Sequence, residues 1–248
     1  LLEYESLGDH YKYSGRFTSN EVNIIDGKLD RYIRRTGQQN QTIPNILVDR
    51  FRFDSFSTEQ VQQVLHGTYA KYAHIMYMYF VITPPEETVE RGWLRGQQRG
   101  RYKSVEDFLG HSVEAYQGIP KLIFKWLAHT RPRYEFTFFD NTVPKGEFPT
   151  ISASGNQKGM LVFDPMVFIN IERYQKINIH AQNTAEVYPS EERMSVSNNM
   201  AFFNQCLRRF PSVSFSLGPD EPEYLHIKQK TFTLVDQAIF AQLNEDPQ

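Results

Sequence analysis

One cysteine, Cys206, stands in a chain of 248 residues, so no internal disulfide braces the fold and a small disulfide scaffold is excluded. A lone thiol suits a reducing compartment; the expected location is the cytoplasm, with a secreted toxin or effector as the alternative. No apolar run approaches the ~18 residues that read as a membrane span, and no membrane partner is expected. Charge of either sign is not in excess: 27 Lys and Arg face 29 Asp and Glu, for a net charge of −2. No global field therefore draws nucleic acid, and none is expected as a partner; any anion site has to be local. The seven histidines are scattered without a His-Glu-x-x-His pattern, which leaves no zinc site. There is no internal repeat and no long low-complexity tract.

What is present is material for a globular core, 40% hydrophobic and 14% aromatic. Residues 1–20 show no sustained period and read as a loop or a short helix pair. From Glu21, the apolar positions Val22, Ile25, Leu29, Tyr32 and Ile33 follow helical spacing until Gly37. A short apolar run, Ile46-Leu47-Val48, turns abruptly charged at Asp49-Arg50, which predicts a buried strand at about 45–49. Ser57 opens a second helix through Tyr72. Then come eight consecutive apolar residues, Ile75 to Ile82, stopped by Thr83-Pro84-Pro85; they predict a central strand. A helix follows from Pro85, another from Ser104 through Tyr116, and a separate amphipathic segment from Ile119 to Leu127. Phe136 to Phe139 predicts a strand ending at Asp140-Asn141.

Strands alternating with helices, each strand ending in charge or amide, predict an α/β fold with a doubly wound, mostly parallel sheet over residues 1–149. After Pro149 the pattern changes. Residues 150–248 are expected as an α+β extension, with strands at Met160–Phe163 and Ile177–Ile179, a helical stretch at Phe168–Tyr174, and helices at Ser190–Arg209 and Thr233–Leu243. Pro211–Pro222 reads as a loop. The extension is a candidate docking surface for a protein partner.

Two patterns carry chemistry. In Ile46-Leu47-Val48-Asp49-Arg50-Phe51, a strand-end carboxylate can take a proton from an attacking hydroxyl or orient hydrated magnesium, and the adjacent Arg50 can clamp an anion. The alternative is a strand-end ion pair. In Glu90-Arg91-Gly92-Trp93-Leu94-Arg95-Gly96-Gln97-Gln98-Arg99-Gly100-Arg101, Arg91 and Arg95 share a helix face, the glycines are expected to bend the chain so that Arg99 and Arg101 approach a common anion, and four guanidinium groups repel one another unless an anion sits among them. A solvated helix face is the plainer alternative. The cluster Lys121, Lys125, Arg131 and Arg133 reads as solvated surface. Cys206, beside Phe202 and Leu207, reads as a packed thiol.

These patterns, in this order, resemble the P-loop small-molecule and nucleotide kinases, and the zeta-toxin-like kinases in particular. Val48-Asp49-Arg50-Phe51 is similar to the Asp-Arg-aromatic element of thymidylate-type kinases. Thr88 to Arg95, continued through Gly100-Arg101, resembles the arginine-rich lid of the zeta-toxin-like enzymes, and Phe138-Phe139-Asp140-Asn141 resembles a late strand of that group. The likeness covers residues 21–145. It implies an ATP- and Mg²⁺-dependent phosphotransferase acting on a small hydroxyl-bearing substrate, such as a nucleotide or nucleotide sugar. By this resemblance Asp49 is the base or magnesium-orienting acid, and Arg91, Arg95 and Arg101 bind the transferring phosphates. Arg50, Arg99, Asp140 and Asn141 border the nucleotide. The phosphate-cradling Gly-x-x-x-x-Gly-Lys-Ser/Thr sequence is not in the chain; Gly155-Asn156-Gln157-Lys158-Gly159 does not supply it. The P-loop strand is therefore expected upstream of Leu1. The alternative is a catalytically inactive nucleotide-binding or protein-interaction module.

Overall fold

The computed structural model of the chain describes residues 31–43, 45, 47, 70–72, 74–100, 102–144, 146–228 and 230–245. The expected opening segment, most of the strand at 45–49 and most of the helix from Ser57 lie outside these residues. Residues 31–38 are helical, with Ile33 buried, and Gly37 sits against the Tyr72 ring.

The expected strand forms as β1 (Ile75–Ile82). Pro84-Pro85 ends it and Pro85 opens α1 (Pro85–Arg99), where the missing N–H of proline costs nothing. Glu86 and Glu87 lie in the first turn and complement the helix dipole. Gly100 closes α1 at φ +66°, a left-handed conformation that glycine adopts without penalty, and its N–H donates to the Gly96 carbonyl at 2.8 Å. Ser104 caps α2 (Val105–Leu127), its Oγ accepting from the Asp107 N–H at 3.1 Å. This helix runs through Pro120 and joins the two segments that the sequence separates at Gly118. The crossover returns the chain to β2 (Arg133–Asp140), which pairs with β1 in parallel, Ile75 opposite Arg133 through Ile82 opposite Asp140.

From here the topology departs from the expected one. β3 (Thr150–Asn156) turns back antiparallel to β2, and the two-residue connection Gln157-Lys158 leads into β4 (Gly159–Val162), again antiparallel. A second crossover, through α3 (Met166–Arg173), α4 (Glu191–Met194) and α5 (Ala201–Arg209), reaches β5 (Ser212–Ser216), parallel to β4. β6 (Glu223–Lys228) and β7 (Thr231–Leu234) add antiparallel hairpins, and α6 (Gln237–Glu245) follows. One seven-stranded sheet results, in the order β1-β2-β3-β4-β5-β6-β7.

The doubly wound, mostly parallel sheet with an α+β extension is thus corrected to a mixed sheet, mostly antiparallel and continuous across residue 150. The physical reason is local. Asn156 to Gly159 makes a tight turn, and a connection that short can only reverse the chain. Ser212–Ser216 is a strand rather than part of a loop, Ile177–Ile179 is not a strand, and Ser190–Arg209 divides into α4 and α5. β1 stands at the sheet edge, among the described residues, rather than at its centre.

Among the described residues, α2, α3 and α5 lie against one face of the sheet. Phe80, Phe136 and Phe138 project from β1 and β2 into a layer holding Trp126 of α2, Phe168 of α3 and Phe202 of α5. Phe138 meets Phe168 at 5.3 Å and Phe80 at 5.0 Å between ring centroids, and Trp126 stacks on Tyr134 at 5.8 Å. Each such ring contributes about 1.5–3 kcal/mol by leaving water. The alternate residues of β1 point the other way, and Tyr77 and Tyr79 remain 56% and 53% exposed.

Candidate functional site

The carboxyl ends of the parallel pair β1 and β2 gather three of the groups that the sequence singles out, Arg91, Asp140 and Asn141. The Asn141 N–H continues the ladder to the Ile82 carbonyl at 2.8 Å, and its Nδ2 donates to Thr83 Oγ1 at 3.1 Å. The Tyr116 hydroxyl, from α2, donates to the Thr83 carbonyl at 2.6 Å and accepts from the Thr83 N–H at 3.0 Å. A hydroxyl can do both only while it keeps its proton. Burial holds that proton far above the usual tyrosine range, the Thr83 hydrogen bond opposes this, and the charges of Glu86 and Asp140 reinforce it.

Arg91 leaves α1 toward the same place. Its guanidinium donates to the Asn141 and Val143 carbonyls, both at 2.9 Å, and its Nε lies 3.5 Å from Glu87. It therefore clamps the segment leaving β2 to the helix leaving β1. Asp140 Oδ1 accepts from the Thr142 N–H at 2.9 Å and the Thr142 hydroxyl at 2.6 Å, shaping the turn there. Around these groups stand further acids and phenols. The Tyr188 hydroxyl donates to Glu86 at 2.5 Å, Tyr174 lies 5.0 Å from Tyr116 ring to ring, and burial raises the Asp164 carboxyl, with Asp140 adding to the effect. The strand ends are thus lined by negative charge and neutral hydroxyls.

The remaining arginines are placed differently. Arg91, Arg95 and Arg99 follow one another at one-turn intervals along α1, beside a stripe formed by buried Gly92 and Gly96. A side chain at Gly92 would strike the Phe108 ring, so glycine lets α1 approach α2 and fixes which side of α1 the arginines occupy. Arg95 and Arg99 are exposed and meet no acid or hydrogen-bond acceptor among the described residues. Asp49, Arg50 and Arg101 lie outside the described residues. The structure therefore brings Arg91, Asp140 and Asn141 together, and sets Arg95 and Arg99 along the adjoining helix.

Magnesium, which the kinase resemblance implies, finds no fitting donor set in the described residues: no group of three or more His, Cys, Asp or Glu converges there. One Asp140 carboxylate oxygen already serves Thr142, and Glu86 accepts from Tyr188.

Three features escaped the sequence. Tyr116 reaches a strand end 33 residues earlier in the chain, and Tyr188 reaches Glu86 across 102 residues; no local spacing encodes either contact. The third is a groove of about 620 Å³ on the sheet face that no described helix covers, lined by Tyr77, Tyr79, Thr137, Ser154, Leu161 and Ser212. There Ser212 Oγ and His226 Nε2 lie 2.6 Å apart across β5 and β6. Strand alternation marks the face, but not the neighbours that the fold gives it.

No described helix is long and apolar enough to cross a membrane. The chain matches no protein-family model, and no curated protein and no solved structure is significantly similar to it.

Proposed function

We propose that the chain is a phosphotransferase unit that engages the phosphates of a nucleotide through α1. The γ-phosphoryl group of ATP passes to the hydroxyl of a small acceptor, a nucleotide or nucleotide sugar, leaving ADP and a phosphate ester. The observation that carries the reading is the arginine series of α1. Arg91 is held by carbonyls of the segment after β2, while Arg95 and Arg99 extend from the same face without acidic partners among the described residues. Guanidinium groups one turn apart match the oxygens of a di- or triphosphate, and phosphoryl transfer depends mainly on positioning and charge stabilisation. The likeness of residues 48–51, 88–101 and 138–141 to P-loop kinases supports the same reading.

The test is titration of ATP, and separately of inorganic pyrophosphate, into the full chain by calorimetry. Arg95→Ala and Arg99→Ala are each expected to weaken binding about tenfold, the cost of one charge-assisted hydrogen bond. Their thermal stability should stay unchanged. Equal affinity in wild type and both variants removes the arginines from the site. Binding without transfer of the γ-phosphoryl group to any tested hydroxyl favours the second reading, an inactive nucleotide-binding module, to which the missing Gly-Lys-Ser/Thr element points.

A further inference from the structure

Among the described residues, β1 is an edge strand of unusual character. Its outer edge has no charge, no proline and no bulge, the devices that ordinarily keep an exposed edge from pairing. The pattern of its ladder to β2 shows which groups remain on offer. The Arg133 N–H donates to the His74 carbonyl at 3.1 Å and the Asn141 N–H to the Ile82 carbonyl at 2.8 Å, with an uninterrupted parallel register between. Successive residues of a strand direct their peptide groups to opposite sides, so even-numbered residues bond to β2. The N–H and C=O groups of Ile75, Tyr77, Tyr79 and Val81 point to the edge away from β2, which no strand among the described residues pairs.

The sequence of that strand reads nearly the same in both directions. About Met78, Tyr77 mirrors Tyr79, Met76 mirrors Phe80, and Ile75 mirrors Val81. An isologous contact between two copies requires this property, because each residue must suit its symmetry mate. The symmetry also agrees with the hydrogen-bond phase. Antiparallel pairing of two β1 strands about Met78 sets Tyr77 opposite Tyr79 and Ile75 opposite Val81, and these are the residues with outward peptide groups. Met78 then faces its own counterpart as a non-hydrogen-bonded pair, the closer kind of antiparallel pair. On the uncovered face, where Tyr77 and Tyr79 already stack at 6.4 Å within one strand, the two copies would form one continuous tyrosine cluster.

We propose that the chain self-associates through β1, two copies joining their seven-stranded sheets antiparallel into one sheet with its twofold axis at Met78. The occupant of the edge is a second copy. An extended segment of another protein offers no reason for the mirrored sequence.

Light scattering on the full chain across a dilution series tests this. The mass is expected to rise from 29.1 kDa toward twice that value with concentration. A Tyr77→Lys, Tyr79→Lys double variant sets like charges opposite each other in the dimer, and is expected to remain at the monomer mass with unchanged circular dichroism. Met78→Cys supplies a second readout that does not depend on that variant folding. Oxidation is expected to link two copies, while buried Cys206 stays out of the reaction. A wild-type chain that stays monomeric at every concentration overturns the proposal. If the Tyr77 and Tyr79 amides of such a monomer resist hydrogen exchange, the edge is covered from within the chain. A dimer that survives the double lysine substitution overturns it as well, and a dimer that Met78→Cys does not cross-link overturns the register.

Discussion

On β1 and β2, residues one position apart live in different surroundings. Phe80, Phe136 and Phe138 are sealed beneath α2, α3 and α5, whereas Tyr77 and Tyr79 face an open groove and Val81 is exposed. The difference continues across the sheet. Its helix-covered side carries Met160, Val162, Val213 and Phe215, and its open side Ser154, Leu161, Ser212 and Ser214. One strand set therefore supplies stability from one face and, among the described residues, leaves the other open. Tyrosine marks the open side where β1 passes, because its ring suits a strand and its hydroxyl suits water.

The sharpest way to break this comparison is to truncate matched aromatics on the two faces. Phe138→Ala is expected to cost about 3–5 kcal/mol through lost burial and a cavity among Phe80, Phe168 and Phe202. Tyr79→Ser, on the open side, is expected to cost about 1 kcal/mol or less. Urea unfolding at high dilution, where association does not contribute, measures both.

The elements of this comparison were unequally legible in the sequence. β1 is readable because eight apolar residues end at two prolines, and α1 and α2 are readable from Pro85 and Ser104. What could not be read is direction. Asp140-Asn141 ends its strand in charge, as in a parallel sheet, yet the next strand is Thr150–Asn156, whose small polar residues give little apolar signal. Ser212–Ser216 is hidden in the same way, since its outward residues are serines and Pro211 precedes it. In the site, arginine spacing identifies the α1 face. It does not show that Arg91 spends its donors on backbone carbonyls while Arg95 and Arg99 keep theirs, because that depends on where β2 ends.

Within the covering layer, a smaller effect separates two helical glycines. Gly92→Ala is expected to lower stability by about 1–3 kcal/mol, since the new methyl meets the Phe108 ring where α1 packs on α2. Gly110→Ala, in α2 with nothing within 4 Å of the added carbon, is expected to raise stability by about 0.5–1 kcal/mol from helix propensity alone. Thermal unfolding of the pair tests whether the covered side is packed as described.

The smallest expected effect concerns pH. Burial raises the Asp164 carboxyl above its ordinary value of 3.8, so its ionisation weighs against the folded state. The penalty develops as pH rises through 3.8 and the raised folded value, is complete above both, and vanishes below 3.8. Asp164→Asn keeps an acceptor for the Met166 N–H at the start of α3, and is expected to stabilise the chain slightly at neutral pH but not in strong acid. A melting-temperature difference independent of pH contradicts this assignment.

The division of the sheet into a sealed and an open face is tested most directly by nitration of the native chain at high dilution, with modified tyrosines identified by mass spectrometry. Tyr77 and Tyr79 should react, while Tyr116 and Tyr134, at 6% and 0% exposure, should remain unmodified until the chain unfolds. Nitration of Tyr134 as fast as Tyr79, or protection of Tyr77 and Tyr79 at every dilution, would contradict a sheet that the described residues cover on one face only.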